Sequence, residues 1–176
     1  MEKRIKILII SKQTEATDDL FPDIPDLDDE DFAEGITSGL TDCDTMELRT
    51  EGTLRINDGK AEITYEESEI TGMEGSVTKI SFDPVNPSLI SMIRDGTVTT
   101  AMVFEAGMRH ICVYETPIMP FELCVDTISV KNELLTLGTL SLDYMLEIKG
   151  GDAGRTSFRM QIKDAESSAV PLGEYT

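Results

Sequence analysis

The chain has 176 residues, a formal net charge of −19 and three cysteines. This length is typical of one domain that buries roughly 70% of the surface its unfolded form exposes. An acidic chain repels nucleic-acid phosphates, and three cysteines without a CxxC pair give neither a disulfide framework nor a zinc knuckle. We therefore expect no nucleic-acid partner, no metal and no cofactor, and we expect Cys43, Cys112 and Cys124 to be reduced thiols, the last two buried in strands.

The first element is predicted to be a strand over Lys3–Lys12, because Ile5, Ile7 and Ile9 stand at alternate positions. The apolar run that contains them is too short for the core of a signal peptide. No other stretch approaches the ~20 apolar residues that a membrane-spanning helix needs. We therefore expect a cytoplasmic protein with no membrane contact.

A strongly acidic stretch follows this strand. Residues 14–47 carry thirteen acidic side chains and no Lys or Arg, and Pro22 and Pro25 interrupt any regular element. This composition predicts a mobile acidic insertion at 14–44. Three of its carboxylates have the spacing of a calcium loop, but Asp31 stands where that loop needs Gly, so a solvated acidic loop is the favoured interpretation.

From Thr45 onward the chain is predicted to be almost entirely strand, in runs of alternating or β-branched residues. The predicted strands are Met46–Ile56, Lys60–Glu67, Ser76–Phe82, Ser88–Arg94, Thr97–Glu105, Arg109–Thr116, Phe121–Lys131, Gly138–Lys149 and Arg155–Lys163. Asn57-Asp58-Gly59 is a strong signal for a hairpin turn. About 8–10 strands with short connections and no convincing helix predict an all-β antiparallel meander, and closing it into a barrel removes exposed edges. One domain is expected over 1–164, with a frayed tail at 165–176.

The segment Arg94–Pro117 is predicted to be a β-hairpin with its turn at Ala106-Gly107-Met108. The residues of its first arm that would face the interior are Val98, Thr100, Met102 and Phe104. Its second arm has two alternative inward sets, either His110, Cys112, Tyr114 and Thr116 or Arg109, Ile111, Val113 and Glu115. A shift of one residue in register exchanges the two sets, so the sequence leaves both open.

A barrel of this size is either filled by side chains or open enough to hold one small ligand. The candidate ligand-binding residues are Arg94, Met102, Phe104, Arg109, His110 and Tyr114. His110 is the only histidine, and a lone histidine is more often a structural hydrogen-bonding residue than a catalytic base or a metal ligand. Neither a GxSxG turn nor a glycine-rich phosphate loop is present in the sequence. We therefore expect a protein that is not an enzyme.

Several short motifs resemble those of a known family. They are Tyr-Glu-Glu-Ser at 65–68, Thr-Gly-Met-Glu-Gly at 71–75, Ile-Arg-Asp-Gly at 93–96, Met-Val-Phe-Glu-Ala-Gly at 102–107, Arg-His at 109–110, Tyr-Glu-Thr-Pro at 114–117 and Leu-Asp-Tyr at 142–144. In this order they resemble the YwiB-like family, a bacterial domain of unknown function with a calycin (lipocalin-like) β-barrel. The resemblance covers residues 46–163 and the first strand. It implies a closed or nearly closed barrel and no particular activity.

Two functions are consistent with these features. The first is a non-catalytic protein that binds a small, largely apolar molecule inside the barrel, with Arg94, Arg109, His110 and Tyr114 near its polar end. The alternative is a protein-interaction or homodimerising module that uses the outer barrel surface, with the acidic insertion as a tether for a basic protein partner. The volume and lining of the barrel interior distinguish the two.

Overall fold

A computed structural model describes residues 1–15, 43–71, 74–96, 99–148 and 153–165. These ranges contain ten β-strands and one short 3-10 turn, Glu69–Thr71, and no α-helix. The strands are β1 (Glu2–Glu15), β2 (Cys43–Asn57), β3 (Lys60–Glu66), β4 (Val77–Phe82), β5 (Ile90–Asp95), β6 (Thr99–Phe104), β7 (Arg109–Glu115), β8 (Pro120–Glu133), β9 (Thr139–Ile148) and β10 (Ala153–Asp164). The predicted all-β class and strand number are confirmed. No described helix is long and apolar enough to cross a membrane.

Each strand is antiparallel to its neighbours in sequence, and β1 pairs with both β2 and β10, so the sheet closes into an up-and-down barrel. The β1–β2 ladder extends to the pair Thr14 and Cys43. Residues 14, 15, 43 and 44, which the sequence placed in the acidic insertion, therefore belong to strands. The rest of the predicted insertion, 16–42, and the predicted tail from 166 onward lie outside the described residues.

The alternating strand directions give the barrel two ends. We call the end where β1, β3, β5, β7 and β9 finish the cavity end, and the opposite end the packed end. The β2–β3 turn lies at the packed end, where Asp58 and Gly59 both have positive φ, 49° and 74°. These angles are those of a two-residue type I′ hairpin, so the turn predicted at Asn57-Asp58-Gly59 is confirmed.

Alternate residues of each strand fill the interior toward the packed end. The fully buried side chains there include Ile5, Ile63, Ile80, Ile90, Phe104, Leu140 and Leu142. Each such side chain stabilises the fold by roughly 1.5–3 kcal/mol relative to an exposed one. Toward the cavity end the inward residues become more polar, and buried Ser11, Glu67, Thr78 and Thr156 are found there.

Burial alternates along β7, which resolves the two inward sets that the sequence left open. His110, Cys112 and Tyr114 are half-buried, whereas Arg109, Ile111 and Val113 are exposed. The first set therefore faces the interior. Cys112 and Cys124 are free, half-buried thiols in β7 and β8, so they are less buried than expected, and burial is the main cause that raises the pKa of Cys112.

The hairpin predicted over 94–117 is only partly a hairpin. Its turn is present, with Gly107 at a φ of 78°. The pairing of β6 with β7, however, is limited to Thr99 with Glu115 and Thr100 with Tyr114. The turn is bonded to β8 instead: the Gly107 N–H donates to the Thr127 carbonyl oxygen at 2.9 Å, and the Thr127 N–H donates to that of Met108 at 3.1 Å. The predicted turn and the antiparallel arms are therefore confirmed, but the ladder between the arms is short, and β8 bonds the turn.

Candidate functional site

The barrel interior is neither completely packed nor completely open. A cavity of about 320 Å³ lies inside the barrel, on the side of the interior that is nearer the cavity end. The apolar side chains of its lining are Ile9, Met46, Leu48, Met92, Met102, Leu123, Leu146 and Phe158. The polar ones are Ser11, Gln13, Tyr65, Glu67, Thr71, Arg94, Tyr114 and Tyr144. Since Gln13 is exposed and Thr71 is half-buried, these two mark the rim of the cavity.

A charged pair lies in the cavity wall. Glu67 follows β3, Arg94 lies on β5, and the Arg94 Nη2 is 3.3 Å from the Glu67 Oε1. Only 2% of the Glu67 side chain and 13% of the Arg94 side chain are exposed. Ion pairs this well covered lose most of their hydration, so they persist only where further hydrogen bonds hold both partners.

Thr78 of β4 supplies those further bonds. Its hydroxyl donates to the Glu67 Oε1 at 2.5 Å and accepts from the Arg94 Nε at 3.3 Å. Strand register explains the meeting, because Thr78 is directly opposite Tyr65 on β3 and Arg94 on β5. One hydroxyl therefore links the anion and the cation from the strand between them.

Two buried tyrosines complete the polar part of the wall. Burial raises the pKa of Tyr144 to about 12. Burial, and then the charge of Glu67, raise the pKa of Tyr65 further still. Both phenols are therefore protonated at neutral pH, and each has a hydroxyl group that can donate a hydrogen bond.

Of the six ligand-binding residues predicted from the sequence, three line the cavity: Arg94, Met102 and Tyr114. Phe104 lies in the packed core, where its ring centre is 4.7 Å from that of Tyr144. Arg109 is on the outer surface, and its Nη2 is 3.2 Å from a carboxylate oxygen of Glu147.

His110 faces inward but lies near the packed end of β7. Its Nε2 is 3.8 Å from the Glu105 Oε2 and is buried with no hydrogen-bond partner among the described residues. Within the described part of the chain, no three His, Cys, Asp or Glu side chains are grouped to hold a metal ion. The structure thus separates His110 from the polar part of the cavity that contains Arg94.

Three residues of the polar wall were not among those predicted from the sequence: Glu67, Tyr65 and Tyr144. A signal for the first two was available, since residues 65 and 67 lie on the same face of a strand and Tyr65 is expected to be buried. An acidic residue on an inward face is expensive unless it is paired. The partner, however, comes from a strand 27 residues further along the chain, and no local pattern identifies it.

These features define a class of protein: a closed ten-stranded up-and-down barrel, of a kind that fits the calycin fold, with a partly polar internal cavity. The family described as a domain of unknown function (DUF1934) matches residues 33–160. The chain therefore belongs to this family.

A solved structure has the same fold. The crystal structure of the ywiB protein from Bacillus subtilis matches with a TM-score of 0.60 and 15% sequence identity, over 91% of this chain and 92% of that one. Identity this low shows likeness of fold alone. The family match and this structure together confirm the resemblance to the YwiB-like family that the sequence motifs indicated. No curated protein matches the chain.

Proposed function

We propose that this protein is a non-catalytic binder of a small, largely apolar molecule, held in the cavity inside the barrel. The observation that carries the proposal is the cavity itself, which a fully packed barrel would not contain. Its volume of about 320 Å³ is at the lower end of the roughly 300–1,000 Å³ of small-molecule sites, so the ligand is compact.

The lining supports an apolar ligand with one polar end. Methionine side chains from β2, β5 and β6 (Met46, Met92 and Met102) are flexible and polarizable, and they adapt to the shape of an apolar molecule. The charged groups are concentrated at Glu67 and Arg94. This arrangement of an apolar wall with few polar groups is typical of ligand pockets.

The test is saturable binding of N-phenyl-1-naphthylamine, a neutral apolar dye whose fluorescence rises in apolar surroundings. Met102→Trp fills the cavity, so we expect dye affinity to fall at least tenfold. Met108→Trp is the matched control, because Met108 is exposed in the β6–β7 turn and lies outside the cavity lining. Circular dichroism verifies that both variants fold. Equal affinity in the two variants would show that the dye binds elsewhere, and the proposal would fail.

Homodimerisation through the outer surface is the second candidate, and one observation favours it. Three large apolar side chains are exposed on the outer faces of β5 and β7: Ile93 at 41%, Ile111 at 68% and Val113 at 50%. Because β5 and β7 flank β6 in the barrel, these side chains make one region of the outer surface apolar, and exposed apolar surface of this kind is typical of protein–protein contacts.

A second copy of the chain is the partner to test first, by sedimentation equilibrium. The double variant Ile111→Thr, Val113→Thr keeps residues suited to a strand but removes apolar surface. It should weaken a dimer, whereas Ile118→Thr, in the β7–β8 connection, should leave it unchanged. A wild-type protein that stays monomeric at all accessible concentrations would exclude this candidate.

The acidic tether for a basic partner concerns residues 16–42, which lie outside the described residues.

A further inference from the structure

We propose that the polar end of the ligand is an uncharged hydrogen-bond acceptor, such as an amide carbonyl, that binds the Arg94 guanidinium. This inference rests on the proposed function, because it concerns the same cavity. It follows from three properties of the cavity wall: which groups face the cavity, which charges they carry, and how those charges are already paired.

Arg94 offers only donors to the cavity, and the tyrosine hydroxyls of the lining can donate as well. A guanidinium carries five N–H groups, and the contacts of Arg94 with Glu67 and Thr78 come from its Nη2 and Nε alone. Arg94 and the hydroxyl-bearing side chains of Tyr114 and Tyr144 all belong to the cavity lining. A ligand that enters this space therefore meets N–H and O–H donors, and an acceptor group satisfies them.

The charge of Arg94 is already balanced. Glu67 is 3.3 Å from the guanidinium, and its side chain is almost completely covered. An anionic ligand would bring a second carboxylate to one cation inside the barrel. Two carboxylates that share a covered site repel each other, and one of them is ionised only at a large cost in free energy. The net charge of −19 adds long-range repulsion against an approaching anion.

A cationic ligand is disfavoured for a different reason. The carboxylate that would attract it is that of Glu67, whose Oε1 already accepts from the Thr78 hydroxyl and from the Arg94 Nη2. An ammonium group would thus meet a carboxylate whose charge the adjacent guanidinium already offsets, and it would be repelled by that guanidinium. A neutral acceptor is the polar group that satisfies the donors without changing the net charge of the site.

The experiment displaces the bound dye with three ligands of equal chain length: decanamide, decanoate and decylamine at pH 7.5. We expect decanamide to compete at least tenfold better than the other two in the wild-type protein. Glu67→Gln keeps the shape of the side chain but leaves Arg94 uncompensated, so decanoate should become the best competitor. Glu62→Gln is the matched control, because Glu62 lies on the outer face of β3, where its Oε1 is 3.4 Å from the Lys79 Nζ; it should leave the order unchanged.

The outcomes separate this inference from the proposed function. If the dye binds in the cavity but decanoate or decylamine competes as well as decanamide in the wild-type protein, the inference is overturned and the proposed function stands. The same holds if Glu67→Gln leaves the order of the three ligands unchanged. If Met102→Trp does not weaken dye binding, the proposed function fails, and this inference fails with it.

Discussion

Thr78 connects the two charges inside the barrel, because its hydroxyl bonds both Glu67 and Arg94. Thr78→Val keeps the branched shape and removes the donor, so Glu67 loses one of the bonds that offset its burial. We expect the free energy of unfolding to fall by about 1–3 kcal/mol. Urea denaturation measures the change. Thr64→Val is the control, since Thr64 lies on the outer face of β3 beside Lys79; an equal loss in both variants would contradict the role assigned to Thr78.

Tyr144 makes the free energy of unfolding depend on pH in the alkaline range. Its pKa is raised from 10.0 to about 12 by burial, so the folded state holds the phenol proton more tightly than the unfolded state. The raised pKa therefore stabilises the folded state fully below pH 10. This contribution, at most about 3 kcal/mol, is lost as the pH rises from 10 toward 12. Tyr144→Phe should therefore reduce the fall in unfolding free energy between pH 9.5 and pH 11.5, measured by urea denaturation. An unchanged pH dependence would show that other groups cause it.

Gly96 directly follows β5 and has a conformation that only glycine adopts easily, with a φ of 153°. A Cβ at this position would stand 2.6 Å from the Cα of Ser76, where neither backbone can move cheaply. Gly96→Ala should lower the unfolding free energy by about 2–4 kcal/mol through clash and strain together. Gly107→Ala is the comparison, because Gly107 has a φ of 78° but open space around it. It should cost about 1 kcal/mol, and thermal unfolding of both variants distinguishes the two contributions.

Among the elements, β6 and β7 are the least firmly joined neighbours in the barrel. Among the described residues, two pairs connect them, Thr99 with Glu115 and Thr100 with Tyr114, whereas β7 pairs with β8 along its whole length. Backbone groups without a ladder partner exchange their amide hydrogens through small local openings. In 101–104 and 109–112 the amides that point toward the gap between β6 and β7 lack a ladder partner, whereas the others bond to β5 or β8. We expect the first group to exchange at least about tenfold faster than the amides of β9, so these peptides should show a fast and a slow phase in mass spectrometry. Equal protection would mean that β6 and β7 are paired in solution.

Most of the barrel could be predicted from the sequence because its strands alternate. Leu140, Leu142 and Tyr144 on β9 are buried, as the period of two indicates. The inward face of β7 could not be predicted, because both of its alternating sets contain apolar residues. The incomplete β6–β7 ladder was also hidden, since it depends on bonds between the turn and β8, a strand more distant in sequence than the hairpin partner.

The candidate site was predictable only in part, for a related reason. Arg94 and Tyr114 stood out as polar residues within strands, and both line the cavity. Arg109 stood out equally, but the β7 register places it outside with Glu147. The pairing of Glu67 with Arg94 requires three adjacent strands in register, and sequence periodicity specifies faces without specifying register.

At the scale of the whole molecule, the cations are unevenly placed. The outer faces of β1, β2 and β10 carry eight of them: Arg4, Lys6, Lys12, Arg49, Arg55, Arg155, Arg159 and Lys163. Acidic side chains lie among them, and Arg4 pairs with Glu51 at 2.7 Å. The sequence separates the β1 and β2 members of this group from the β10 members by at least 100 positions, so composition alone does not show the concentration. The absence of a nucleic-acid partner stays a prediction.

The net charge of −19 predicts how stability depends on salt. Repulsion among the excess carboxylates destabilises the compact state. Salt at about 0.1 M or above shortens the Debye length to about 10 Å or less and so screens this repulsion. The exposed cross-strand pairs, such as Lys3 with Asp164 and Arg55 with Glu2, are screened as well, but exposed pairs contribute only about 0–1 kcal/mol each. Repulsion should therefore dominate, and the melting temperature should rise by a few degrees between about 0.02 M and about 0.5 M sodium chloride. Differential scanning calorimetry measures this rise.

At pH 5, closer to the isoelectric point of about 4.2, the negative charge is smaller and the rise in melting temperature should be smaller. A melting temperature that falls with salt at neutral pH would mean that the cross-strand ion pairs outweigh the repulsion of the excess charge.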